Sequence, residues 1–299
     1  MKDLPAVPAP LAVVRSTRVA DYVELAKLRL NALVVATSAA GYYLGAAGTI
    51  DWWHLLIAVG GTAAVAAGAA VLNQVAERDT DALMRRTRLR PLPDGRVSLA
   101  DARAFGVVLT GLGLSMLAAR TNLAATALAA ATVIVYLAVY TPLKRRSPLA
   151  TLVGAVPGAL PPLIGWAASN GAVTIAGAAL FAIVFLWQIP HFMAIAWLYR
   201  DDYGKAGFPM LPVIEPDGRR TGRQAALYAA ALLPVSLVPG LIGLTGPAYL
   251  VIAASLGLAL FALSVAFARA RTDAAARTLF LASIVYLPLI WAAMIADKI

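Results

Sequence analysis

Apolar residues recur along this chain in runs of about 20, each long enough to cross the hydrocarbon core of a bilayer as a helix. The runs fall at roughly 30–48, 52–75, 103–120, 122–141, 149–168, 172–198, 225–244, 247–268 and 277–296. None alternates with the two-residue period of a membrane strand, so the pattern predicts helices and not a barrel. The predicted fold class is all-α, a polytopic membrane protein with nine transmembrane helices. Residues 1–20, rich in Pro and Ala, read as a mobile N-terminal arm, and 21–299 as a single intramembrane domain. The segment 21–30 (DYVELAKLRL) reads as an amphipathic surface helix leading into the first run.

Composition agrees. With 61% hydrophobic and only 13% charged residues, the chain has too few charges to clothe a soluble domain of its length. It has no cysteine, which excludes disulfides, thiolate metal sites and covalent haem attachment. The first twenty residues hold no sustained apolar stretch, so no cleavable signal peptide is expected there. The net charge of +10 would suit nucleic acid, but its placement argues for membrane topology instead. Counted along alternate sides of the spans, 23 of the 25 Lys and Arg fall on one side, leaving Arg120 and Lys298 opposite. The positive-inside rule then predicts a cytoplasmic N-terminus and a C-terminus outside. The setting expected is a bacterial inner (plasma) membrane, with membrane lipid and no nucleic acid as partner. Acids share the bias, since only Asp51 and Asp297 fall on the other side.

Two loops on the charged side gather acids as well as cations, and the first organises the chemistry. Across 72–95 (LNQVAERDTDALMRRTRLRPLPDG), Asn73, Glu77 and Asp81 stand four residues apart. On a helix such steps drift only about 40° each, so the three side chains share one face. Two acids and an amide suit a hard cation such as Mg2+. Arg85, Arg86, Arg88 and Arg90 follow, and guanidinium groups suit phosphate oxygens. Pro91, Pro93 and Gly95 are expected to end the loop helix. Ordinary helix-to-helix bonding would explain a lone Asn, but not this ladder beside an arginine run. Asp79 is off the stripe and a weaker ligand candidate.

Other candidates carry plainer alternatives. Lys27 and Arg29 can reach a diphosphate or simply anchor to lipid headgroups. Tyr140 and Lys144, four apart, can converge on one spot, or can be an interfacial aromatic before a stop-transfer basic cluster. In the fifth run Gly154, Pro157, Gly158, Pro161, Pro162 and Gly165 predict a kink or a close approach to a neighbour or ligand. His191 lies inside a span and faces either a cavity or a neighbouring helix. An unbroken helix would put it on one face with Asp202, about 16 Å away. His54 beside Trp52 and Trp53 reads as interfacial. The second charged loop, 201–223, opens with Asp201 and Asp202 and contains an apolar piece, Phe208–Val213, able to cover a cavity. Two such loops four spans apart hint at a distant internal repeat. A cavity between them would hold Mg2+ around a diphosphate, with an apolar interior for an isoprenoid tail.

These residues also carry a resemblance. N-x-x-x-E-x-x-x-D at Asn73, Glu77 and Asp81 is followed by Met84-Arg85-Arg86-Thr87 and Arg90-Pro91-Leu92. Further on stand Tyr140-Thr141-Pro142-Leu143-Lys144-Arg145 and Pro161-Pro162-Leu163-Ile164-Gly165-Trp166. Then come Pro190-His191-Phe192 and Asp202-Tyr203-x-x-Ala206-Gly207-x-Pro209-Met210-Leu211-Pro212. From about residue 25 to 213 the chain resembles the UbiA-type intramembrane prenyltransferases, which have nine helices and two aspartate-rich loops. The last two motifs are similar to the branch that farnesylates heme.

The resemblance implies transfer of farnesyl from farnesyl diphosphate to a vinyl group of heme B, with water quenching the cation. It implies Asn73, Glu77, Asp81, Asp202 and possible help from Asp201 as the metal and diphosphate side chains. Tyr140, Lys144, Arg85, Arg90, Lys27 and Arg29 would contact phosphate or leaving group, and His191 would contact heme. Heme A synthase or a terminal-oxidase assembly is the protein partner it raises. Two departures stand out. Glu77 replaces the family's usual Asp, and Lys205 and Ala206 stand where a D-x-x-x-D would place its second acid. Other readings are a UbiA-type enzyme with a quinone-precursor or chlorin acceptor, and a transporter.

Overall fold

The computed structural model describes residues 18–299, apart from the side chains of Arg29 and Leu30. All but the last three residues of the predicted arm lie outside that range. Arg18–Ala20 are already helical, so the surface helix α1 (Arg18–Leu25) starts earlier than the charge pattern implied. It also stops earlier. Lys27 takes a left-handed backbone (φ 50°, ψ 51°), which breaks the predicted continuous helix and opens α2 (Leu28–Gly45) in a new direction.

The apolar runs become α3 (Trp52–Leu83), α4 (Leu99–Arg120), α5 (Leu123–Ile134), a π-helical turn (Val135–Tyr140) and the short α6 (Thr141–Leu143). After these come α7 (Ala150–Asn170), α8 (Ile175–Leu198), two short helices α9 (Arg200–Lys205) and α10 (Leu211–Ile214), then α11 (Arg219–Leu241), α12 (Pro247–Ala270) and α13 (Asp273–Ala296). Among the described residues eight helices are long and apolar enough to span a membrane, counting α5 to α6 as one. The protein is an all-α integral membrane protein. Side-chain caps fix several starts: Asp51, Ser98, Asn122, Thr174 and Thr272 each accept from a backbone N–H three residues on.

The small-residue face of α3 packs on α4. The Pro/Gly-rich α7 approaches a neighbour as well. A Cβ on Gly165 would fall 1.9 Å from the Ser38 carbonyl oxygen, and one on Gly41 would fall 2.0 Å from that of Pro162. Backbone-to-backbone contact along α2 and α7 therefore depends on hydrogen at both positions. Despite Pro157, Pro161 and Pro162, α7 is a continuous helix.

The two ends of the bundle differ. At one, polar bonds tie loops to helix ends through Tyr42 to His54 (2.8 Å), Asn122 to the Ala167 carbonyl (2.7 Å) and Lys298 to the carbonyls of Tyr43 and Ala46. The other end collects α1, the 84–98 loop, α6, α9 and α10. Three ion pairs join them to α3 and α13, Arg90–Asp81, Lys144–Glu77 and Arg200–Asp273, and a fourth, Arg96–Asp21, ties the 84–98 loop to α1.

Candidate active site

The charged end closes over a cavity of about 420 Å3. Helix α3 builds its polar wall. The helix outruns its apolar span, continuing to Leu83, and so carries Asn73, Glu77 and Asp81 on one inward face; all three are buried. It ends before the prolines expected to stop it. Met84 turns to extended backbone, and the Asp81 carbonyl accepts from the Thr87 hydroxyl at 2.7 Å as well as from the Met84 N–H at 3.3 Å.

Each member of the ladder has a partner from another element. Asn73 Nδ2 donates to Thr141 Oγ1 (3.0 Å), and its Oδ1 accepts from the Tyr136 hydroxyl (3.3 Å). Lys144 Nζ bonds both Glu77 carboxylate oxygens, at 3.0 and 3.2 Å. Arg90 Nη1 bonds Asp81 Oδ2 at 2.7 Å. Asp81 Oδ1 is buried with no hydrogen-bond partner, an open acceptor.

The π-helical turn supplies the facing wall. Its wider step, with the Thr141 N–H bonding back to the Tyr136 carbonyl, puts Tyr136 and Tyr140 in stacked contact at 5.4 Å. The chain stays helical through Lys144, whose ammonium lies 5.9 Å from the Tyr140 ring centre and 4.5 Å from that of Phe208. So Tyr140 and Lys144 do converge. Below them the lining turns apolar, with Val34, Ala66, Ala69, Ala70, Pro157 and Ile195, and Gln188 and Asn31 as its buried amides.

Cations ring the mouth. Lys27 and Arg90 line it, as does Arg86, whose guanidinium sits over the rings of Tyr199 (5.2 Å) and Tyr203 (6.0 Å). Burial, then the nearby Arg90, pushes the Lys27 ammonium down to about 8 against the pull of Glu77. Arg85 is exposed and outside the lining; its neighbour Arg86 occupies the place given to it by sequence. The Arg29 side chain lies outside the described residues.

The second acidic segment is placed differently. Helix α8 ends at Leu198 and Tyr199 leaves helical geometry, so the face predicted to join His191 to Asp202 is broken. Tyr203 and Met210 line the cavity, and Phe208 packs with Met84 beside it, which makes this segment the cover its apolar piece predicted. Asp201 is exposed and Asp202 half-buried; neither lines the cavity. His191 faces α13: its Nδ1 pairs with Ser283 Oγ at 2.7 Å, and its ring stacks between Trp187 and Phe280.

An apolar hollow inside a membrane bundle, with acids and cations concentrated at one mouth, defines an integral membrane protein with a cavity that is polar at one end and apolar at the other. The UbiA prenyltransferase family matches residues 34–287. The chain belongs to that family, and is a transferase of prenyl groups. It is 45% identical to the protoheme IX farnesyltransferase of Solibacter usitatus, over 93% of this chain and 98% of the relative. It is 44% identical to that of Koribacter versatilis, over 98% of each. The mitochondrial protoheme IX farnesyltransferase of Arabidopsis thaliana is 40% identical over 93% of this chain and 65% of its own length. Among solved structures, a digeranylgeranylglyceryl phosphate synthase superposes with TM-score 0.80 at 18% identity, covering 93% of this chain and 98% of that one. A UbiA homologue from Archaeoglobus fulgidus, bound to DMAPP and Mg2+, superposes with TM-score 0.66 at 18% identity, covering 92% and 99%.

Proposed function

We propose that this protein transfers a farnesyl group from farnesyl diphosphate to a vinyl group of heme B, with addition of water, giving heme O and diphosphate. Two relatives at 44–45% identity, each matched over 98% of its length, are named protoheme IX farnesyltransferase, which supports farnesyl transfer to protoheme. The observation that carries the reading is the ladder of Asn73, Glu77 and Asp81 at the mouth of an otherwise apolar cavity.

The donor set fits Mg2+. It offers the oxygens of two carboxylates and one amide, and one of them, Asp81 Oδ1, is buried without a partner. Asn73, Glu77 and Asp81 would hold the ion. When bound, Mg2+ neutralises the leaving diphosphate and lets the allylic carbon–oxygen bond break. Lys144 and Arg90, paired with Glu77 and Asp81 at the cavity mouth, would supply positive charge to the phosphate oxygens. Lys27, Arg86 and the Tyr140 hydroxyl complete the phosphate contacts. Asp202, half-buried and one residue before cavity-lining Tyr203, joins when α9 draws inward, and Asp201 stays outside.

The stacked Tyr136 and Tyr140 and the aliphatic wall keep bulk water from the farnesyl cation. His191 contacts heme through Nε2, because Ser283 occupies Nδ1. The charge asymmetry supports nine crossings of a bacterial inner membrane with the N-terminus and the site on the cytoplasmic side.

The test is incubation of the purified protein in lipid nanodiscs with heme B, farnesyl diphosphate and Mg2+. The expected product is heme that has gained one farnesyl group and one water. Absence of any farnesylated heme, with prenylation of a quinone precursor or chlorin instead, would transfer the protein to the runner-up activity.

A further inference from the structure

The cavity-lining Lys27 is held by a device that the proposed chemistry leaves unused. The residue lies in a left-handed backbone that a side chain with a Cβ adopts only at a cost, so something must maintain it. Two buried amides supply the hold. Gln74 Nε2 donates to the Leu25 carbonyl at 2.7 Å, and Asn31 Nδ2 donates to the Ala26 carbonyl at 2.6 Å. These are the two carbonyls directly before Lys27. Both side chains are almost wholly inaccessible, at 2% for Gln74 and 7% for Asn31. Gln74 also donates to the Ala70 carbonyl at 3.1 Å, so it is anchored to its own helix while it reaches across. Outside, Arg96 bonds Asp21 and Glu24 on α1 and the Leu89 carbonyl of the arginine loop.

We infer that Gln74 is a positioning residue for prenyl diphosphate binding: by fixing the Leu25–Lys27 bend it keeps the Lys27 ammonium in the cavity mouth. Gln74 directly follows Asn73 on α3, so one helix sets the acids with one face and the cation with the next. The distance from metal-side ladder to phosphate-side lysine is thereby fixed through a single rigid element. This rests on the reading of the cavity as a prenyl diphosphate site, and deepens it.

The test is a double-mutant cycle in nanodiscs on Gln74→Met, which keeps the volume and removes the donor, and Lys27→Ala. Binding of Mg2+ and farnesyl diphosphate to the unaltered protein is measured first; its absence overturns the site reading itself and is seen before any variant is compared. The expected result is that Gln74→Met weakens farnesyl diphosphate binding about ten-fold, the size of one buried hydrogen bond, with heme binding unchanged. In a Lys27→Ala background the same change should have no further effect. An equal loss in both backgrounds, or no loss in the first, overturns the inference. Asn31→Leu is the second arm, expected to show the same dependence on Lys27, which guards against a local packing defect at position 74.

Discussion

The two acidic segments read alike in sequence and behave as opposites in the fold. In α3 the acids continue a membrane helix, so helical periodicity carries them inward, where each meets a partner from another element. In α9 the acids follow a break at Tyr199, and the residue aimed inward is Tyr203 instead. Arg200 contributes to that orientation by bonding Asp273 and the Trp197 carbonyl on the far side. A carboxylate's composition says what it can bind; continuity with a rigid helix decides whether it is already in place. Glu77 and Asp81 of α3 line the cavity, and the acids of α9 do not.

The largest effect expected of that difference is at Asp81. Asp81→Asn keeps the shape and removes the charge, and kcat should fall roughly a thousand-fold, equivalent to several kcal/mol of lost metal-centred stabilisation. Heme product formation measures it, and a fall of only a few-fold would mean the ladder is structural. Next is the contrast within α9. Asp202→Asn should cost about ten-fold in kcat/KM and be partly restored by raised Mg2+, whereas Asp201→Asn should stay within about two-fold. Equal losses at Asp81 and Asp202 would erase the distinction between acids that line the cavity and acids that do not.

The smallest effect concerns pH. Because the Lys27 ammonium is pushed down to about 8, it loses its proton as pH rises through that value, and the KM for farnesyl diphosphate should rise by a few-fold above it. Lys27→Arg should flatten this limb. The sign for folding is the reverse. Between pH 8 and 10.5 the unfolded chain holds more protons at this site than the folded one, so this group's contribution to stability increases with pH. An unchanged KM across that window would place the lysine outside the phosphate's reach.

What the sequence made legible follows from periodicity. Apolar runs located the long helices, and four-residue spacing brought Asn73, Glu77 and Asp81 together, and likewise Tyr140 and Lys144. Periodicity fails where helices stop. It extended the surface helix through Lys27 and α8 through Asp202, and it carried the loop helix past Leu83 to the prolines. Arg85 and Arg86 are indistinguishable as letters, since the turn between α3 and α4 imposes no face on either. The bond from Gln74 to Leu25 joins residues 49 apart in the chain, and no local pattern announces it.

The π-helical turn at Val135–Tyr140 holds one residue more than a regular coil would there, absorbed without a loop. Removing that residue would regularise the helix and swing everything after it by about 100°, taking the Lys144 amine away from Glu77 while leaving every side chain chemically intact. Evolution is thus constrained here in register as well as in residue type. A relative that lost the extra position would have to recruit its cation from another helix.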